Sequence, residues 1–128
     1  MYKVEVASKN DYRFTAQAKG ASFDIDAKGK EGMTPPDVLL ASLGSCVGVY
    51  IRKYAEGAKL DVGEFCITVE SDLGTESPYC FRQIKVSVDL KNALLDDRRK
   101  KALLDFIKNC PIHNTLKTAP DIEISLKP

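Results

Sequence analysis

The strongest constraint on the fold is a helix-forming segment that is apolar or small on every side. Residues 38–49 read V-L-L-A-S-L-G-S-C-V-G-V and carry no charge. Thr34 can cap the segment, proline follows it in the first turn, and Asp37 suits the positive end of the helix dipole. We therefore expect a helix over residues 36–56 that stops at Gly57. A helix that is apolar all round is expected to be buried all round, as the central helix of a fold.

Two glycines in this helix point to a close neighbour. Gly44 and Gly48 are four residues apart and so share one face. Each costs about 1 kcal/mol of helix propensity relative to alanine. We expect them to permit the close approach of another backbone.

The remaining elements come in runs. Short alternating segments predict strands, and the amphipathic segment at residues 96–109 predicts a helix. The predicted strands are residues 1–8, 12–18, 22–27, 65–72, 81–90 and 121–127, and a short helix is predicted at residues 111–117. A flexible loop is expected at residues 28–32. The order βββ-α-ββ-αα-β, with strands in runs, indicates an α+β protein with mainly antiparallel pairing.

Length and charge limit the classes of function. A chain of 128 residues predicts a single domain, residues 1–128. A formal net charge of +1 gives no basic field for nucleic acid. The longest nearly uncharged stretch, residues 38–51, is too short to span a membrane, and residues 1–6 do not resemble a signal peptide. We expect a cytoplasmic protein that binds neither nucleic acid nor membrane.

Four cysteines, Cys46, Cys66, Cys80 and Cys110, are scattered without any CxxC pair. In a reducing compartment they are expected to be free thiols. Cys46 lies in the apolar helix, where it can be simple core filler and where burial would raise its pKa. Cys66 and Cys80 are expected to be incidental, since Cys66 should lie opposite the middle of the next strand rather than opposite Cys80.

Cys110 precedes Pro111 and is predicted to be the N-cap of the short helix. The helix dipole and free N–H groups there favour a thiolate, so local physics makes Cys110 the more reactive thiol; a purely capping role is the alternative. His113, the only histidine, lies one turn later and is either a partner of Cys110 or an exposed helical residue. Neither a metal nor a cofactor is expected, because the candidate ligands lack the local pairs of a zinc site.

Two segments resemble the OsmC/Ohr family. Residues 34–46 read T-P-P-D-V-L-L-A-S-L-G-S-C, similar to the family's P-x-E-L-L-L-A-A-L-G-x-C helix. Residues 109–116 read N-C-P-I-H-N-T-L, similar to its C-P-V-x-x-x-L segment. The resemblance implies an OsmC-like α+β fold, in which antiparallel sheets wrap around central helices from both subunits of an intertwined homodimer.

The resemblance also implies thiol peroxidase chemistry on organic hydroperoxides, in defence against oxidative stress. Cys46 matches the peroxidatic thiol and Cys110 the resolving thiol, which reverses the order that local physics suggests. An external small-molecule or protein dithiol would reduce the resulting disulfide. Asp37 matches the acidic position of some branches, and Arg13, the only arginine in the N-terminal third, is the candidate activating cation.

A second function remains open. The context of Arg13, D-Y-R-F, lacks the glycine-rich arginine loop of the organic hydroperoxide resistance branch. This favours a non-enzymatic dimer that uses its thiols as a redox switch or binds an apolar ligand beside them. The retained pair of Cys46 and Cys110 favours the peroxidase.

Overall fold

The computed structural model describes residues 1–128 and confirms the α+β class with antiparallel sheets. Its elements are β1 (Glu5–Ser8), β2 (Arg13–Ala18), β3 (Ala21–Asp26), α1 (Pro35–Ala58), β4 (Cys66–Glu70), β5 (Lys85–Asp89), α2 (Asp97–Ile107) and α3 (Pro111–Thr118). The chain divides into two compact units, Met1–Ala41 and Ser42–Pro128. The single domain stays a prediction.

The first unit contains the predicted meander. Strands β1, β2 and β3 pair antiparallel in that order. Ala16 lies opposite Phe23 and is buried, as the alternation of β2 predicts. The loop at residues 28–32 is more ordered than the sequence suggests. Its backbone N–H groups at Lys28, Lys30 and Glu31 donate to the buried Asp26 carboxylate over 2.9, 3.2 and 3.0 Å.

Helix α1 begins with a reciprocal cap. The N–H of Asp37 donates to Thr34 Oγ1, and the N–H and hydroxyl of Thr34 donate to Asp37 Oδ2. The predicted stop at Gly57 is wrong, because α1 continues through Gly57 to Ala58, two residues beyond the predicted last residue. Lys59 then takes a left-handed conformation with φ of 55°, the backbone geometry that commonly ends a helix.

The expectation that α1 is buried on all sides is wrong for the single chain. Burial follows one stripe, which consists of Leu43, Gly44, Val47, Ile51 and Ala55. Leu39 remains 40% exposed and Val49 50% exposed. An apolar helix shows only that its surface favours burial, and this chain covers one face of it.

The two glycines of α1 face side chains rather than a backbone, which corrects the expected partner. A Cβ atom at Gly44 would lie 3.0 Å from Val69 Cγ2, and one at Gly48 would lie 3.4 Å from Ile67 Cδ1. Both contacts come from β4. The glycines therefore let the inward side chains of β4 pack closely on α1.

The second unit surrounds this packing with the β4–β5 ribbon and α2. Val69 pairs with Val86 and Ile67 with Val88 across the two strands. Cys66 lies opposite Asp89, at the end of β5 rather than opposite the middle of the strand, so that register was predicted wrongly. On α2, Leu103 is buried in the core cluster with Val47 and Ile51.

Both short helices have polar N-caps. Asp96 caps α2 by accepting the N–H of Arg99 at 2.8 Å. Cys110 caps α3, with Pro111 as its first helical residue, as predicted.

The predicted final strand at residues 121–127 is absent. This segment is not a strand, and its alternating apolar residues Ile122, Ile124 and Leu126 are 80%, 87% and 96% exposed. A strand forms only where a neighbouring strand satisfies its backbone groups, and this chain supplies none for it. None of the helices is both long and apolar enough to cross a membrane.

Candidate functional site

Cys110 is fixed at the start of α3. As the N-cap, its Sγ accepts the N–H of His113 at 3.4 Å. The residue is fully buried, with 0% of its surface exposed. A helix start offers free N–H groups that favour electron-rich atoms, so this sulfur is held among hydrogen-bond donors.

Cys46 reaches the same place from α1. It is half-buried, and its thiol lies close enough to the Cys110 side chain for that side chain to affect its ionisation. The backbone of Ile112, the second residue of α3, also lies near this thiol and favours its ionised form. Folding therefore brings together two sulfurs that lie 64 residues apart in sequence, where the backbone of α3 contributes to both. We call Cys46, Cys110 and the Ile112 backbone the thiol site.

Burial raises the pKa of the Cys46 thiol above its usual range, and the contact with Cys110 adds to the increase. The backbone of Ile112 and the positive charge of Lys53 lower this pKa, but burial outweighs them. The direction agrees with the expectation from the sequence. In this chain the neutral thiol of Cys46 is favoured at neutral pH.

His113 contributes its backbone to the thiol site. The contact with Cys110 is made by the His113 N–H, while the ring Nδ1 lies 3.4 Å from Asn114 Oδ1. His113 therefore contributes to the site as a backbone hydrogen-bond donor in the first turn of α3. A nucleophile pair formed by the Cys110 thiol and the imidazole has no support in these contacts.

Arg13 lies in the first unit, where two carboxylates hold it. Its guanidinium contacts Asp11 at 2.9 Å and Glu31 at 3.1 Å. The hydrogen bond with Asp11 is the main reason that its pKa is raised. The predicted role of Arg13 as the activating cation stays a prediction.

Asp37 serves the start of α1. Its carboxylate accepts the N–H and the hydroxyl of Thr34 at 3.0 and 2.8 Å. These hydrogen bonds lower the pKa of Asp37, so it is ionised at neutral pH. The contacts account for an acidic residue at this position as a helix cap, and its predicted role in chemistry stays a prediction.

Tyr50, one helical turn after Cys46, belongs to an aromatic cluster with Tyr54 and Phe106. The ring centroids of Tyr50 and Tyr54 both lie 5.8 Å from that of Phe106 on α2. The ammonium of Lys53 lies 4.8 Å from the centroid of Tyr50. The sequence carries a signal for this arrangement, because Cys46, Tyr50 and Lys53 are spaced i, i+4 and i+7 along α1 and so share a face.

Cys66 and Cys80 are not part of the thiol site as defined above. Cys66 is exposed and Cys80 half-exposed, and all four cysteines are free. No group of three or more histidine, cysteine or acidic side chains is placed to hold a metal ion.

Comparison with known proteins identifies the family. A family model described as OsmC-like protein matches residues 27–125, so the chain belongs to the OsmC-like family. No curated protein matched the chain in a sequence search.

Solved structures share the fold. An OsmC-like protein from Mycoplasma pneumoniae is 22% identical with a TM-score of 0.81, covering 91% of this chain and 87% of its own. The organic hydroperoxide resistance protein OhrB of Bacillus subtilis is 20% identical with a TM-score of 0.63, covering 98% of both chains. An organic hydroperoxide resistance protein OsmC from Legionella pneumophila is 19% identical with a TM-score of 0.63, covering 91% of this chain and 90% of its own. These likenesses establish the fold.

Proposed function

We propose that this protein is a thiol-dependent peroxidase that reduces organic hydroperoxides. One observation carries the proposal: a half-buried thiol on α1 and a buried thiol at the start of α3 lie close enough for the second to affect the ionisation of the first. Paired thiols of this kind suit a reaction in which one sulfur is oxidised and the other captures the product. Cys46 is the attacking sulfur, because it is the more accessible of the two.

The reaction has three balanced steps. The Cys46 thiolate attacks the O–O bond of the hydroperoxide, and a proton goes to the departing alkoxide, which leaves Cys46 sulfenic acid and an alcohol. The Cys110 thiol then displaces hydroxide from the sulfenic acid, which forms a disulfide and releases water. An external dithiol reduces this disulfide and becomes a disulfide itself.

The thiol site favours the second step. Because folding already brings the two sulfurs into one site, a limited movement suffices to reach a disulfide bond length of about 2.05 Å. The N–H of His113 at the helix start can stabilise negative charge on Cys110 as it attacks. Cys110 is inaccessible in the free protein, so its partner in this step is Cys46 rather than a dissolved oxidant.

The proposal includes a homodimer and two charged residues. Exposed apolar side chains, among them Leu39 and Val49 on α1 and Ile124 near the C-terminus, support burial against a second copy. Arg13 is proposed as an activating cation and Asp37 as the acidic residue of the site. Arg13 would have to exchange at least one of its bound carboxylates to act on the thiol.

Turnover of cumene hydroperoxide with dithiothreitol tests the proposal. The wild-type protein is expected to consume many equivalents of peroxide. Cys46→Ser should abolish consumption, and Cys110→Ser should permit one oxidation and slow the cycle. Cys66→Ser is the matched control and should behave as wild type. Peroxide consumption unaffected by Cys46→Ser would overturn the assignment.

A second candidate function has one observation in its favour. The pKa of Cys46 is raised by burial, which slows its reaction with peroxide at neutral pH. A slowly oxidised thiol pair suits a redox switch in a non-enzymatic dimer. Stoichiometric oxidation that is not followed by turnover with dithiol would favour this switch over the peroxidase.

A further inference from the structure

Lys53 is an exposed lysine whose position is set by an aromatic ring. Its Nζ lies 4.8 Å from the centroid of Tyr50, a distance at which a cation is attracted to the ring face. It takes part in none of the ion pairs of the chain. Its charge is therefore not neutralised by a bound carboxylate.

The ring that holds Lys53 is itself fixed. Tyr50 is half-buried and packs against Phe106, which α2 supplies from the other side. Tyr50 lies one turn after Cys46 on α1, and Lys53 lies one turn after Tyr50. The lysine is thus steered along the helix face that carries Cys46.

Two other cations, Arg52 and Arg13, differ from Lys53 in this respect. Arg52 donates to the Gly63 carbonyl at 2.7 Å and lies over the ring of Phe65, so it closes a loop of the fold. Arg13 is bound by Asp11 and Glu31. Lys53 has no ion pair with a carboxylate, and the ring of Tyr50 holds it on the face of α1 that carries Cys46.

We propose that Lys53, held over the ring of Tyr50, is a positioning cation that favours the ionised form of the Cys46 thiol. This role rests on the proposed function of Cys46 and extends it by a residue that neither the family resemblance nor the motifs assign. The ionisable groups that act on the Cys46 thiol are the Cys110 thiol and the Lys53 ammonium, and Lys53 is the cation of the two. Its effect on the pKa of Cys46 is in the expected direction.

The test is the pH profile of Cys46 alkylation by iodoacetamide, followed by peptide mass spectrometry in the otherwise intact protein. Lys53→Met should shift the profile to higher pH and slow alkylation at pH 7.5 by about two- to fivefold, the size expected of one exposed charge. Lys53→Arg should preserve the rate, since the guanidinium also binds aromatic faces.

Two further variants separate charge from structure. Lys100→Met removes an exposed helical lysine that also has no ion pair, and it should leave the profile unchanged. Tyr50→Phe retains the ring and should retain the rate, whereas Tyr50→Leu should remove most of the effect of Lys53. If Lys53→Met and Lys100→Met give the same profile as wild type, Lys53 has no such role.

Peroxide consumption in the same variants separates this proposal from the one it rests on. A wild-type protein that fails to consume peroxide overturns the peroxidase, while the alkylation profiles still decide the role of Lys53. A protein that consumes peroxide with Lys53→Met indistinguishable from wild type in both assays overturns the role of Lys53 alone.

Discussion

The charged groups in the cluster around Arg13 are paired with one another, whereas those of the thiol site are not. In the cluster, Arg13 is bound by two carboxylates, and the Asp26 carboxylate opposite it accepts three backbone N–H groups. In the thiol site, burial raises the pKa of Cys46, and the nearby cation Lys53 has no bound carboxylate. In the first region every named charge has a partner, and these contacts stabilise the local fold. The second leaves a group that can ionise only at a cost, which is how reactive sites commonly differ from their scaffold.

The largest predicted effect comes from removing the Cys46 sulfur. Cys46→Ser should lower the rate of peroxide consumption by at least about a thousandfold, since a hydroxyl cannot replace a thiolate as the attacking atom. The expected midpoint of thermal unfolding is close to that of wild type, because the change is nearly isosteric. A protein that unfolds much earlier would show that Cys46 serves the core instead. Initial rates with cumene hydroperoxide and thermal unfolding are the two measurements.

The next effect concerns pH. Because burial raises the pKa of Cys46 above the ordinary 9.0, the thiolate fraction should still be rising between pH 7 and pH 9, without levelling off in that range. The alkylation rate of Cys46 should follow it. A rate that reaches its plateau below pH 8 would show that another group, such as a partner subunit's cation, overcomes the burial. Four carboxyl groups of the first unit contribute no comparable dependence, because hydrogen bonds hold their pKa values below 3.8; they are Asp11, Asp24, Asp26 and Asp37.

Replacing Arg13 tests whether the charged cluster also serves the thiol site. If it serves the thiol as the resemblance implies, Arg13→Ala should slow peroxide consumption by about tenfold, in the range of one hydrogen bond to a charged group. Lys9→Ala, which removes another exposed ion pair of the first unit, is the control and should have no effect on the rate. An unchanged rate in Arg13→Ala would leave Arg13 as part of the structural cluster and Lys53 as the supporting cation.

The smallest predicted effect is on stability. Asp26→Asn weakens the acceptor for three backbone N–H groups and should lower the midpoint of thermal unfolding at pH 7 by about 5 °C. Hydrogen bonds from Lys28 and Glu31 lower the pKa of Asp26 in the folded chain below its ordinary 3.8. The stability that this carboxylate adds is therefore complete above that value and is lost as the pH falls below it. The gap between wild type and variant should narrow on acidification, and a gap that is constant from pH 7 to pH 3 would contradict the account.

The sequence predicted the local elements well because their patterns are local. The alternation in β2 and β3, the cap at Thr34 and the Cys-Pro start of α3 each depend on a few adjacent residues. The predictions were wrong where the structure of a segment depends on another segment that packs against it or pairs with it. The segment at residues 121–127 has the alternation of a strand but no neighbour to pair with, and α1 has apolar residues that this chain leaves exposed.

The thiol site shows the same limit. Local physics placed Cys110 at a helix start, and the resemblance supplied its pairing with Cys46. The contact between the sulfurs depends on how α1 and α3 pack, which spacing alone does not specify. Lys53 was missed because an exposed lysine on a helix is ordinary until a fixed ring beside it gives it a position.

The most direct test is the fate of the four thiols after reaction with one equivalent of cumene hydroperoxide. Peptide mapping of the oxidised protein without reduction should find a disulfide between Cys46 and Cys110, with Cys66 and Cys80 still free. Unchanged thiols at Cys46 and Cys110, or a disulfide that joins either of them to another cysteine, would contradict the account.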